Sequence, residues 1–421
     1  MRFGTAGSGL RWAVRKGGNA VGWCALSIRC GTRDEEGFSE GIAHFTEHTL
    51  FRGCKGKSAS AINNCLDRLG GDLNAFTTKE EIVLHATVLK EDIGKAVRLL
   101  LSLATSPTFP EKELETERGV VADEIISYKD SPADEIYDRF EEMLFSGHPL
   151  GRRILGTESS VRKITREDLV RFTGENFTPG RMALTIVAPL EEDRMEKDLL
   201  HWAGAFFPDG HPSLTVPDAV SESARPILPS SMKRPEPVPF DTSVRKRNHE
   251  VNAIIGTTAP SLYDEKERIA TILLCNILGG PASNSLLNER LREKKGWVYG
   301  IECTYTQYAD TGIVTIAFGC DKPNLEPCFR EIDRILEGLR ENLMDERKLA
   351  AARKQLIGQL AVGAESGETQ ALSMGKAMLA FGRVSSPGED RARIEAVTAE
   401  DLRALASRLL SPSRLSRLIY C

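Results

Sequence analysis

Residues 18–32 are a largely apolar, β-prone run and predict a strand. Beyond Ser39 the spacing becomes helical, and GIAHFTEHTLF (41–51) predicts a helix ending near Phe51. Ser58 or Ser60 opens another helix, AINNCLDRLGG, closed by Gly70 and Gly71. EIVLHATVL, from Glu81 to Leu89, alternates as a strand. The long apolar stripe of EDIGKAVRLLLSLAT predicts a helix, which Pro107 and Pro110 break before the charged helix EKELETERGVVADEIISYKD.

The pattern then recurs. Strand, turn, long amphipathic helix, break and charged helix appear first from Glu81 and again from Gly312. The offset is about 231 residues between Ile82 and Ile313, and about 235 between Leu114 and Leu349. A period this long indicates a duplicated domain rather than a solenoid. Residues 205–243, crowded with Pro and Ser, lack any period and read as a linker. The expected layout is an N-terminal domain over 1–212, a linker over 213–242 and a second domain over 243–421. In the second half TILLCNIL takes the place of the His-bearing helix and holds no histidine.

Composition narrows the function classes. A chain of 421 residues that is 41% hydrophobic and 27% charged is an ordinary globular one, with room for more than one core. A net charge of -5 gives no support for nucleic acid or an anionic membrane surface as partner. No apolar run approaches the ~20 residues a spanning helix needs. The first residues lack a secretory signal's apolar segment, so a cytoplasmic location is expected. The nine cysteines are odd in number and form no CxxC pair, which argues against a disulfide framework and a Cys-ligated zinc. Most should be buried as small apolar residues.

The chemistry sits in HFTEH. His44 and His48, four apart on a helix, can aim two imidazoles at one point, with Glu47 beside them. Two imidazoles and one carboxylate are a catalytic zinc set that leaves a position for water, and Glu47 could take that water's proton. The third ligand is open on spacing alone: the acidic helix offers Glu113, Glu115, Glu117, Asp123 and Glu124. Glu117 and Glu124, seven apart, share a face. His85, His148, His201, His211 and His249 are not at ligand spacing and read as structural.

The order H-x-x-E-H is the inverzincin pattern. With HFTEH followed by 75 residues and Glu124, and with Glu117-RGVVAD-Glu124, the chain resembles the M16 (pitrilysin) family of zinc metallopeptidases. It is most similar to the short-subunit group that includes mitochondrial processing peptidase and its bacterial relatives. GTRDE (31–35), LGGDLNAFTTKE (69–80) and HPLGRRILG (148–156) extend the resemblance, which spans essentially the whole chain. It implies one Zn2+ per chain on His44, His48 and Glu124, Glu47 as general base, and Glu117 as a carboxylate orienting a ligand histidine. GGPASNSLLNERLREKKGWVYG (279–300) resembles the family's C-terminal signature and implies that Arg292 and Tyr299 stabilise the oxyanion. Leu286 stands where the family usually has arginine. Asn74, Ala75, Phe76 and Thr77 match the edge strand that pairs with an extended peptide substrate. Glu81, just downstream, stands where relatives usually carry a small polar residue.

The implied fold is α+β: two homologous α/β-sandwich halves, each a mostly antiparallel sheet backed by helices, together forming half of a clam-shaped chamber. The implied activity is that of a zinc endopeptidase. Because both motifs lie on one chain, a homodimer is expected, with Arg292 and Tyr299 serving the partner's zinc. The alternatives are a non-catalytic scaffold and one subunit of an obligate heterodimeric processing peptidase.

Overall fold

The computed structural model describes residues 1–18, 20–207, 235–246 and 250–421. Most of the expected linker (213–234), together with His211 and His249, lies outside the described residues.

The chain opens with strands β1 (Arg2–Thr5), β2 (Arg11–Lys16) and β3 (Val21–Ile28), then helix α1 (Ile42–Leu50). A short hairpin, β4 (Gly53–Cys54) and β5 (Lys57–Ser58), leads to α2 (Ala59–Asp67). A second hairpin follows, β6 (Asp72–Thr77) and β7 (Ile82–Leu89). Next come α3 (Ile93–Thr105), α4 (Glu111–Lys129), α5 (Pro132–Leu144), α6 (Glu158–Val161), α7 (Arg166–Asn176), β8 (Met182–Ala188) and α8 (Glu192–Gly204). The second half holds β9 (Asp241–Val244), β10 (Val251–Ala259), α9 (Glu265–Gly279), β11 (Val298–Gln307) and β12 (Gly312–Cys320). It ends with α10 (Leu325–Glu341), α11 (Glu346–Gly363), α12 (Gly367–Phe381), α13 (Pro387–Glu395), α14 (Ala399–Leu409) and β13 (Ser416–Tyr420). Ile82 and Ile313 lie on β7 and β12, and Leu114 and Leu349 on α4 and α11, as the repeat requires.

These elements form two compact units that are not continuous in sequence. The first comprises the described parts of Met1–Ile126, Arg152–Pro226 and Val362–Ser385, and so takes α12 from late in the chain. The second comprises the described parts of Ser127–Gly151, Ile227–Ala361 and Ser386–Cys421, and so takes α5 from early in it.

The first unit's sheet has the order β1-β2-β8-β3-β7-β6. All its pairings are antiparallel except β2 with β8. Alternation splits its side chains between two faces. Leu26, Leu84 and Ala86 face one core with Phe45 of α1 and Leu100 of α3. Ala25, Val83 and Ala183 face a second core with Met374 and Met378 of α12. Gly375 lets α12 come close, because a Cβ there would collide with the Ser27 side chain.

The second unit repeats the scheme with the order β11-β12-β10-β13-β9. Here only β13 with β9 is parallel. Ile255, Ile316 and Phe318 face Leu274 of α9 and Ile332 of α10, while Ile254 and Ala317 face Ile136 and Phe140 of α5. The strands β6 and β11 are the equivalent sheet edges. All nine cysteines are free, and seven are buried. Among the described residues no helix is long and apolar enough to cross a membrane.

Candidate metal site

The first unit positions HFTEH through the start of α1. The helix begins at Ile42 rather than immediately after Ser39, because Gly41 is left-handed, with φ at 86°. A Cβ on Gly41 would lie 2.8 Å from the Leu155 carbonyl oxygen, so glycine is required twice over. The buried Glu35 carboxylate accepts from the Gly41 and Ala43 backbone N–H groups at 3.0–3.1 Å and satisfies donors that the helix start leaves free. Phe45 and Leu50, fully buried, lock the helix against the core. His44, Glu47 and His48 are thereby fixed on the side that faces α4 and β6.

The structure brings His44, His48 and Glu124 together, with one ligand atom from each lying within 4.8 Å of the others. Glu124 Oε2 is 3.8 Å from His44 Nε2 and 3.4 Å from His48 Nε2. Two donors at ~2.0–2.2 Å from one tetrahedral ion stand ~3.3–3.5 Å apart. The cluster thus has near-ligand spacing and a donor set of two imidazole nitrogens and one carboxylate oxygen. The residues fit a zinc ion.

The surrounding charges agree with that reading. Burial, reinforced by the neighbouring imidazole of His48, holds the His44 pKa down at about 4, so this ring is a neutral donor. Burial also opposes protonation of His48, but the carboxylates of Glu117 and Glu124 outweigh it and raise its pKa to about 9. The contact with His48 holds Glu124 below the usual carboxylate range.

Glu117, which has no solvent exposure, places Oε2 3.1 Å from His48 Nδ1, and its other oxygen pairs with Arg52. Glu47 lies beside the ligands with Oε2 accepting from the Thr77 hydroxyl at 2.8 Å. Burial pushes the Glu47 pKa above its ordinary value, and the Thr77 bond pulls the other way. Glu113, Glu115 and Asp123, open on spacing, are not part of the metal cluster.

Thr77 ends β6, whose outer side pairs with no other strand among the described residues. Leu73, Ala75 and Thr77 turn toward α1, while Asn74 and Phe76 are exposed on the opposite face. Of the other histidines, His85 pairs with Glu368 of α12 at 3.0 Å and His148 lies 3.7 Å from Asp310, outside the metal cluster. His201 is exposed on α8.

Arg292 and Tyr299 lie in the second unit, where both line one cavity of about 520 Å³ with Asn288, Glu250 and Glu302. Arg292 sits on a π-helical turn, Asn288–Lys294, and Tyr299 on a bulge of β11, where the register with β12 breaks between Val298 and Gly300.

Two contacts in this neighbourhood, Arg52 with Glu117 and Thr77 with Glu47, do not follow from the motif spacing. Arg52 carried a signal, since it lies one helical turn beyond His48. Thr77 was read only as part of an edge strand, and its bond to Glu47 has no local signature.

Comparisons with known proteins identify the family and the fold. The family model "Insulinase (Peptidase family M16)" matches residues 14–158, and the model "Peptidase M16 inactive domain" matches residues 163–356. An uncharacterized zinc protease of Bacillus subtilis is 29% identical over 385 residues, covering 91% of this chain and 89% of that protein. One of Mycobacterium tuberculosis is 30% identical, covering 91% and 84%. A crystal structure from Pseudomonas fluorescens, described as a peptidase M16 inactive domain, superposes with a TM-score of 0.86 at 19% identity, covering 100% of this chain and 97% of that one. The two-unit fold and the His-His-Glu cluster are those of a zinc-protease-like scaffold. The chain belongs to peptidase family M16.

Proposed function

We propose that this protein is a zinc-dependent endopeptidase that cleaves peptides or unfolded segments held in extended form. The observation that carries the reading is the convergence of His44, His48 and Glu124 with Glu47 alongside. His44, His48 and Glu124 would hold one zinc ion per chain. Bound there, zinc would supply Lewis acidity toward a peptide carbonyl and the attacking water. Glu47 accepts a proton from the attacking water and passes it to the leaving amine. Burial raises the pKa of its carboxylate, which makes it a stronger proton acceptor than an exposed one. Asn74, Ala75, Phe76 and Thr77 supply the free strand edge along which a peptide backbone would pair. Arg292 and Tyr299 supply a guanidinium and a phenol for the oxyanion. The working unit is a homodimer, two chains together enclosing a clam-shaped chamber, with each chain's Arg292 and Tyr299 acting at its partner's zinc.

The test is Glu47→Gln. Zinc content, measured on the purified chain, should stay at one ion per chain. Cleavage of a mixed peptide library, read by mass spectrometry with and without chelator, should fall by about 10²–10⁴-fold. Normal cleavage by this variant would overturn the assignment. A wild-type chain that takes up no zinc would favour the non-catalytic scaffold, and activity appearing only with a different partner chain would favour the obligate heterodimer.

A further inference from the structure

The Tyr299 hydroxyl donates to Asp321 Oδ1 at 2.8 Å. A phenol has one proton, and an ionised carboxylate can only accept. With that bond made, Tyr299 has no proton left to give to an oxyanion. Tyr299 lines the 520 Å³ cavity with Arg292, whereas Asp321 is not among the residues lining it. The Arg292 guanidinium, by contrast, is exposed and has no hydrogen bond or ion pair among the described residues. Of the two oxyanion groups, one is free and the other is engaged.

The contact is specific to the local backbone. Val298 pairs with Cys320 and Gly300 with Gly319, so Tyr299 is the extra residue of a β-bulge, and its side chain is re-aimed toward the end of β12. Asp321 stands just past that end and opens the turn Lys322–Asn324, but its carboxylate makes no cap to that turn. The carboxylate's only hydrogen bond among the described residues is the one from Tyr299. The Tyr299 side chain is 59% exposed, so little packing holds the ring once the bond opens. The contact with Asp321 also raises the Tyr299 pKa above its ordinary value of 10.0.

We propose that Asp321 is a positioning residue that latches Tyr299 in a resting conformation, from which the phenol must be released before it can stabilise the reaction's oxyanion. This rests on the endopeptidase reading and on Tyr299 acting there. The latch lowers the fraction of bound complexes in which the phenol can reach the oxyanion, so kcat falls by that fraction while substrate binding is untouched. A single exposed hydrogen bond of ordinary net strength corresponds to a factor of about 2–10.

The experiment is a double-mutant cycle on the zinc-loaded full chain, using a quenched-fluorescent peptide that the wild type cleaves in a chelator-sensitive way. Asp321→Ala should raise kcat by about 2–10-fold with KM unchanged, and Asp321→Asn, whose neutral carbonyl accepts less strongly, should shift kcat the same way by less. In a Tyr299→Phe background, Asp321→Ala should have no effect. An equal effect in both backgrounds, or a loss of kcat/KM in Asp321→Ala, overturns the latch. If Tyr299→Phe alone leaves kcat/KM unchanged, the role given to Tyr299 falls first and the latch with it, which is a different outcome. An ultraviolet titration, wild type minus Tyr299→Phe, isolates the phenol. Its midpoint should drop when Asp321 is replaced, and a constant midpoint shows that the contact is not made in solution.

Discussion

Arg52 meets Glu117 on the carboxylate oxygen that His48 leaves free, so the buried acid is held from both sides. Glu117 has no solvent exposure, and an unpaired carboxylate there would be costly. Were His48 a neutral zinc ligand, Arg52 would supply the full positive charge paired with Glu117. Replacing Arg52 by Met should therefore weaken zinc binding by roughly tenfold, and Glu117→Gln by roughly 10–100-fold. Competitive chelator titration measures both. Unchanged affinity in Arg52→Met would show that the guanidinium is not needed to hold the carboxylate against His48.

Thr77 holds Glu47 by a single hydroxyl bond. Thr77→Val keeps the β-branched shape of the strand and deletes only the donor. It should lower kcat by about tenfold through misplacement of the carboxylate, with zinc content unchanged. Thr77→Ser should recover most of that loss. Full activity in Thr77→Val would remove the role of the bond, and failure of serine to recover a loss would mean that the hydroxyl is not positioned without the γ-methyl group.

Some of this was legible in the sequence and some was not, for physical reasons. His44 and His48 share a face because helical spacing is local, and Arg52 could have been found by the same rule. Thr77 could not, because only tertiary packing brings the end of β6 against α1. The helix start was misplaced for a related reason: Ser39 lies near the start of the pattern, but the cap comes from Glu35, folded back onto Gly41 and Ala43. Amphipathic stripes on α5 and α12 reveal that each buries a face, not which sheet receives it, so the membership of the two units was invisible. The Tyr299 bulge depends on a register shift between β11 and β12, which no local pattern records.

Glu35 gives the fold a pH dependence of definite sign. Burial raises its pKa to about 8, although the Ala43 and Gly41 amides and nearby Arg152 pull it down. The folded chain therefore keeps a proton that the unfolded chain, titrating near 4.5, has released. This contribution is fully present below pH ~4.5 and is lost as pH rises through about 8. Glu35→Gln fixes the neutral form. The stability of wild type relative to Glu35→Gln should thus fall steadily between those limits, read from urea midpoints in chelator. A difference that grows with pH would show that the amides at the start of α1 hold the carboxylate ionised.

Mixed dimers test whether Arg292 and Tyr299 act on the partner's zinc. Glu47→Gln disables the base of its own chain, and Tyr299→Phe disables a group that would serve the other chain. In a dimer of one such subunit with the other, trans action puts both lesions at one site and leaves the second site intact. Such a dimer should have about half of wild-type activity, and random exchange of equal amounts, in which about half the dimers are mixed, should restore about a quarter. Action in cis puts one lesion at every site, so activity would stay at the level of the parent variants. Native mass spectrometry must confirm that subunits have exchanged, because the readout depends on mixed dimers being present. No recovery in verified mixed dimers removes the trans arrangement while leaving the zinc site itself untouched, since Glu47→Gln alone tests that.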